Sequence, residues 1–419
     1  MTVSSPASSQ RTPGARQRVV VTGMGIVSCL GNSLDRVSAG LREHRTGVVR
    51  VEPWRERGFA SQVAGVASVE GLAPFDRKLE RFMGDTARFA CHAARSAIDD
   101  AGLDKLALCT PRAGAVIGSG VGTMSAYDAA LEIAHARGIE RTPPYVVPQA
   151  MSSTASANVA HVFGLEGITY SPSSACTTST LAIGQAVQLI ESGRQDIVLA
   201  GGSEALHDNM TLMFDAMGAL SRNFNDTPER ASRPYDVARD GFVMASGAGV
   251  LVLESLDHAR SRGARIHAEI TGYGQATDGT GMVIPRASAI ARAMREALDD
   301  AGGRPDYINT HAPSTPHGDL QELQAISDVF GADVPPFSST KGSTGHPLGA
   351  CGAHEAIYTL LMMRDRFIAG TAGIDTLEPA ARTMPLVRAS RDAALRRAMS
   401  VSFGFGGSYA SVVFEAWQE

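Results

Sequence analysis

AIDDAG at 97–102 returns as ALDDAG at 297–302. Each copy closes an alanine-rich amphipathic run, 87–98 and 287–298, and a strand-like segment follows each. A second pair of runs repeats in the same order. One follows SSACTTST at 173–180 and the other follows the turn around His346; both open in Ser, Thr and Gly, carry a glycine (Gly184, Gly352) and run on apolar before a further strand. Two echoes in one order predict a duplicated βα unit. The joint is expected in the polar, turn-prone HARSRGAR at 258–265, giving halves 18–262 and 263–419.

Outward from the echoes, short β-branched runs alternate with longer helical patterns, the mark of an α/β protein. Strands are expected at 18–22, 113–117, 196–200, 249–253, 268–272, 307–310 and 411–414. Gly23-Met24-Gly25 and Gly118-Ser119-Gly120 follow two of them. Neither completes G-x-G-x-x-G with an acidic residue about twenty positions on, so a dinucleotide site is not expected. The chain's 419 residues, 44% hydrophobic and 19% charged, suit a soluble globular protein with two domains or one duplicated domain. A net charge of −5 gives no general attraction to nucleic acid or anionic membrane, so an acidic partner must meet a local basic patch. Five cysteines (29, 91, 109, 176 and 351) form no CxxC pair, which argues against a disulfide framework and a zinc site. A reducing cytosol is the expected compartment. Residues 1–17, rich in Ser, Pro and Ala, are expected to form a flexible tail, and no run is long enough to span a membrane.

Cys176 stands at the mouth of an apolar helix expected from Leu181 onward. Unpaired N–H groups and the positive end of the helix dipole favour thiolate there, and the same N–H groups can hold an oxyanion. A lone cysteine is more often an inert core residue. Two histidine turns downstream, 310–319 and 341–349, both rich in Gly, Ser, Thr and Pro, reverse that reading.

With these in view, VTGMGIVSCLG (21–31), SSACTTS (173–179), FDAMGAL (214–220), ASRPYDVARDGFV (231–243), STPHGD (314–319), KGSTGHPLGACGAHEAI (341–357) and SFGFGG (402–407) together resemble the β-ketoacyl–acyl carrier protein synthases of the thiolase superfamily. Among these, the type I member is the nearest likeness. The resemblance implies an αβαβα sandwich of two similar halves, dimers along a central strand, and decarboxylative condensation of an acyl group with a malonyl thioester. It makes Cys176, His311 and His346 the catalytic triad. It places Lys341 in the polar network behind the histidines, with Glu355 as its expected partner, and makes Phe405 a gate whose N–H joins that of Cys176 as the oxyanion hole. Thr315 becomes the candidate contact for pantetheine. The substrates carry phosphopantetheine on an acyl carrier protein, so neither a separate cofactor nor a metal is implied. Arg77, Lys78 and Arg81 fall at i, i+1 and i+4 of an expected helix, and the family docks its carrier in this region; a solvated face is the equal alternative.

The chain departs from the family at four positions. His-Gly-Thr-Ser-Thr-Pro is replaced by His311-Ala312-Pro313-Ser314-Thr315-Pro316, and Val401 and Tyr409 stand where asparagines are usual. Pro313 removes a backbone donor and a hydroxyl, and Ala312 is expected to strain a glycine backbone. Such changes suit a specialised ketosynthase of secondary metabolism, working as a homodimer or beside a cysteine-less chain-length factor, as readily as a fatty acid enzyme. A chain-length factor lacks the nucleophile, a thiolase has a second C-terminal cysteine, and a non-catalytic scaffold would not keep every reactive position. Cys176, SFGFGG and the intact triad count against these three in turn.

Overall fold

The computed structural model describes residues 16–418. In its first half, β1 (Val19–Val27), β2 (Ala113–Gly118), β3 (Thr169–Tyr170), β4 (Ile197–Glu204) and β5 (Gly247–Ser255) are interleaved with α1 (Asp85–Ala101), α2 (Thr154–Phe163) and α3 (Thr178–Glu191). The second half repeats the succession with β6 (Ala268–Thr277), β7 (Tyr307–Asn309), β8 (Phe337–Ser338), β9 (Arg397–Gly404) and β10 (Ser408–Ala416), and with α4 (Ala287–Ala301), α5 (Pro316–Phe330) and α6 (Cys351–Arg364). All ten strands form one mixed sheet in the order β8-β7-β9-β10-β6-β1-β5-β4-β2-β3. From either outer edge the third, second, fourth, fifth and first strands of a half follow in turn, and β6 and β1 meet antiparallel at the centre. Strand directions repeat as well. β2 is parallel to β3 and β4, as β7 is to β8 and β9, and the remaining neighbours within each half are antiparallel. This is the thiolase-like α/β fold of two similar halves.

The echo that announced the duplication has a packing cause. A Cβ on Gly23 would lie 2.2 Å from the carbonyl oxygen of Ala97, and one on Gly25 would lie 1.9 Å from that of Ala93. In the second half, Gly272 and Gly274 stand in the same relation, at 2.1 Å each, to Ala297 and Ala293. Alanine helices and Gly-x-Gly strands thus touch backbone to backbone. Asp100 accepts the N–H of Met24 at 2.9 Å, and Asp300 accepts that of Tyr273 at 3.3 Å. Gly102 and Gly302 close the helices at φ 63° and 64°, where glycine is at ease. Gly23-Met24-Gly25 therefore lies within β1 rather than in a loop after it. The second echo is looser: Gly352 rests on Thr180, whereas Gly184 lies under the ring of Tyr273, so the two glycines are not equivalent.

The core has three main parts. Ile183, Ala186 and Ile190 of α3 join Ile357 and Leu361 of α6 between strands of both halves. One outer cluster holds α1 on the first half, and another holds α4 and α5 on the second. The expected strands all exist, but β3, β8 and β9 have no counterpart among them. Within 402–407 only the last residues turn, since β9 runs to Gly404. Residues 1–15 of the expected tail lie outside the described residues. Its last two are tied down: Arg16 pairs with Asp300 at 3.1 Å, and the Gln17 N–H donates to Glu191. No helix among the described residues is long and apolar enough to cross a membrane.

Candidate active site

Cys176 sits in the turn that feeds α3, after Ala175 at φ 46°, a left-handed backbone rarely adopted by alanine. Hydroxyls hold this bend: Thr177 Oγ1 donates to the Ser174 carbonyl at 2.7 Å, and the Ser174 N–H donates to Thr178 Oγ1 at 2.8 Å. The thiol is thereby presented to the second half. His346 Nε2 lies 3.0 Å from Cys176 Sγ. Its backbone is clamped on both sides, the N–H donating to Val243 O at 2.7 Å and the carbonyl accepting from Ala245 at 3.0 Å.

His311 follows β7. Its N–H and that of Ala312 donate to the two oxygens of buried Glu322, at 2.7 and 2.8 Å. The ring lies 4.2 Å from that of Phe403 and stands perpendicular to that of His346, at 5.0 Å. Behind it, Lys341 Nζ reaches His311 Nδ1 at 3.3 Å and also bonds Glu355, so the expected Lys–Glu pair is formed, fully buried. An ammonium has no lone pair to offer, so Nδ1 accepts and Nε2 carries the ring proton.

Electrostatics keep this cluster neutral where it meets substrate. Burial, then the Lys341 charge, pulls both imidazoles well below their ordinary range. Burial also opposes the Lys341 ammonium, but the Glu355 carboxylate, joined by Cys351 and Glu322, raises it further and the lysine stays charged. Desolvation opposes the expected helix-dipole activation of Cys176. Burial pushes the thiol up to about 12, and the lowering by Lys341 does not compensate. The resting pair is thiol and neutral imidazole, and thiolate must be made by proton transfer to His346.

The two histidines and Cys176 open into an apolar cavity of about 370 Å³ walled by Phe214, Phe242 and Phe405. Phe405 packs on Phe214 at 6.2 Å. Gly404, just before it, approaches so closely that an added Cβ would lie 2.8 Å from the N of Cys176. Pro313 and Thr315 line the same cavity, Thr315 at the mouth of α5. Ala312 carries none of the expected strain; the left-handed residue of that turn is Ser314, at φ 81°. Val401 and Tyr409 lie behind the site in the apolar cluster of Phe403, and the Tyr409 hydroxyl accepts the Arg286 N–H at 3.1 Å. Arg77 and Lys78 belong to a helix of four residues, Arg77–Glu80, capped by Asp76 and followed by Arg81, so the expected basic face is a single turn. All three cations are exposed, and Arg81 lies over the rings of Phe82 and Tyr145.

Two carboxylates went unread in the sequence. Glu322 anchors the His311 turn. Glu204, at the end of β4, accepts from Ser119 Oγ, from the N–H groups of Gly120 and Val121, and at 3.0 Å from that of Gly349, three residues beyond His346. A lone acid ending an apolar strand was the one available signal. Cys351 also lies close, its thiol donating to the carbonyl of Cys176 at 3.0 Å.

A duplicated α/β sandwich presenting one thiol and two neutral imidazoles to an apolar cavity defines an acyl-transferring enzyme of the thiolase-like class. The family descriptions "Beta-ketoacyl synthase, N-terminal domain" and "Beta-ketoacyl synthase, C-terminal domain" match residues 16–259 and 267–375, and the chain belongs to the β-ketoacyl synthase family. It is 46% identical over 403 residues to 3-oxoacyl-[acyl-carrier-protein] synthase 1 of Haemophilus influenzae, covering 96% of this chain and 99% of that protein. A crystal structure of a β-ketoacyl synthase from Burkholderia phymatum superposes with a TM-score of 0.90 at 37% identity, covering 96% and 100%. A type II polyketide synthase acyl-carrier protein in complex with its ketosynthase bound to the hexaketide gives 0.87 at 30%, with the same coverage.

Proposed function

We propose that the chain lengthens a carrier-bound acyl chain by two carbons, with Cys176 as acyl acceptor and malonyl–acyl carrier protein as donor. The observation that carries this reading is the 3.0 Å contact of Cys176 Sγ with His346 Nε2, with the second neutral imidazole, His311, beside it. His346 takes the thiol proton as sulfur attacks the acyl thioester, then returns it to the departing carrier thiolate. Loss of CO2 from the malonyl group leaves an enolate. The Nε2–H of His311 donates to its oxygen, with neutral His346 beside it, and neutral rings suit these roles because a cation would pair with the malonyl carboxylate instead. The enolate carbon attacks the acyl carbonyl, and collapse of the adduct expels Cys176 thiolate, which takes a proton from solvent. The N–H groups of Cys176 and Phe405 serve as the oxyanion hole, supported by the close approach of Gly404. Lys341 and Glu355 hold His311 in its donating tautomer, and Thr315 meets the pantetheine arm.

Arg77, Lys78 and Arg81 receive the acidic carrier, in a homodimer. The reaction belongs in a reducing cytosol, consistent with five free thiols. Intact mass after incubation with an acyl carrier tests the assignment. An acyl adduct on Cys176, absent from Cys176→Ala, supports it; acylation elsewhere refutes it. A narrower second reading, a secondary-metabolite ketosynthase beside a chain-length factor, has Pro313 and Tyr409 in its favour. The acyl group trapped on Cys176 in cells decides between the two.

A further inference from the structure

The 3.0 Å contact of Cys176 Sγ with His346 Nε2 crosses from one half of the chain to the other, so it depends on how the His346 turn is seated. At His346 itself the seat is the backbone of Val243 and Ala245. Three residues further on it is a side chain. We infer that Glu204 is a positioning residue for proton transfer from Cys176 to His346, acting through Gly349 to hold the imidazole on the thiol. This role deepens, and rests on, the acyl transfer proposed for Cys176.

Glu204 is fully buried at the end of β4, and four donors face its carboxylate, two on each oxygen. Oε1 takes the Ser119 hydroxyl at 2.8 Å and the Val121 N–H at 3.4 Å; Oε2 takes the N–H groups of Gly120 at 2.8 Å and Gly349 at 3.0 Å. Ser119 Oγ accepts the Gly122 N–H at 2.8 Å, so its own hydrogen is committed to Glu204. With every facing group a donor, neither oxygen has a place for a proton. The contacts leave no slack. A Cβ on Gly349 would lie 2.4 Å from the N of Gly120 and 2.7 Å from Glu204 Oε2, and one on Gly202 would lie 2.6 Å from the Gly349 carbonyl oxygen. Gly349 sits in the short turn Leu348–Ala350 between His346 and α6, and Leu348 before it is left-handed at φ 43°. Glu204 ties that strained link to the thiol-bearing half. After desolvation, and against Lys341, its charge also raises the Cys176 thiol, so thiolate forms only with His346 in place to take the proton.

The coupling can be read without substrate, on the full-length chain at pH 7, as the rate at which iodoacetamide alkylates Cys176, followed by peptide mass. In the wild type, His346→Ala should slow that rate about tenfold or more, because the thiol loses its proton acceptor. In a Glu204→Gln background the same substitution should change the rate about twofold or less, since the imidazole is already off the sulfur. Glu204→Asp keeps the charge but gives up the reach to Gly349; it should behave as Glu204→Gln does, and it decides alone if the glutamine variant does not fold. Ser119→Ala leaves the bond to Gly349 and should keep the wild-type dependence on His346. A full His346 effect in Glu204→Asp, its loss in Ser119→Ala, or its absence in the wild type overturns the inference. With an acyl carrier as substrate, Glu204→Asp should lower kcat about tenfold or more and leave KM within about twofold, because the reach to Gly349 serves the proton transfer and not carrier binding. A raised KM at unchanged kcat overturns the inference as well. Alkylation that couples Glu204 to His346 in a chain that takes up no acyl group would overturn only the proposed activity.

Discussion

Among the described residues, Lys341 is the charge that acts on both imidazoles, and removing it separates its electrostatic role from its structural one. Because a neighbouring cation disfavours the protonated ring, the acid limb of turnover should lie below the ordinary histidine range in the wild type. In Lys341→Met the depressing charge is gone while burial, the larger cause, remains. The limb should then move up in pH without passing about 6.5. A pH profile of kcat on both proteins checks this, and an unmoved limb would confine Lys341 to packing. Cys176 offers the opposite sign. Its partly exposed thiol is pushed up to about 12 by desolvation, so alkylation of the resting enzyme should keep rising through pH 9 and 10 instead of levelling near the value of an ordinary thiol. Pro313 faces the cavity, and Ala312 is unstrained. Ala312→Gly should therefore do little. Pro313→Thr can regain one neutral hydrogen bond, about 0.5–1.5 kcal/mol or roughly two- to twelvefold in KM for carrier-bound substrate. Steady-state constants on short saturated and polyunsaturated acyl carriers would show whether selectivity moves with it.

At the scale of elements, the two Gly-x-Gly strands lie flush on two alanine helices, and that contact has no slack. In Gly272→Ala the new methyl would meet the Ala297 carbonyl oxygen at 2.1 Å, a backbone atom that cannot step aside. A loss of about 1–3 kcal/mol is expected from overpacking, read by urea denaturation. Gly279→Ala, whose Cβ would meet nothing, is the matched control and should be near neutral. The same contact explains why the duplication was legible: a helix that touches glycine backbone must be alanine-rich, and both copies obey. β9 was not legible because Ala398 to Phe403 is buried throughout, so no alternation of exposure marks it, and the glycines that follow dominate the reading. The triad stood out through its motifs. Glu204 and Glu322 did not, because what they hold are backbone N–H groups of distant loops, and no residue spacing encodes such partners. At Cys176 the helix mouth was legible, but not the desolvation that opposes thiolate there.

The whole molecule is acidic, at −5, yet its proposed partner is acidic too, which puts the weight of recruitment on a local cluster. Arg77, Lys78 and Arg81 crowd one exposed turn, and none forms an ion pair among the described residues. Arg81 is already ordered by stacking on Phe82 and Tyr145, at 4.8 and 5.0 Å, so it loses less freedom on binding than the other two. Reversing all three to glutamate should raise KM for carrier-bound substrate by roughly one to two orders of magnitude, at about 1 kcal/mol or less per exposed pair. Small free thioesters, which bring no charged partner, should be used as before. Salt should tell the same story, since exposed pairs are screened within about 8–10 Å. Raising ionic strength should weaken the wild type toward the triple variant and leave the variant nearly unmoved. Equal losses on carrier-bound and free substrates, or a salt response shared by both proteins, would make the turn a structural element and move the docking surface elsewhere.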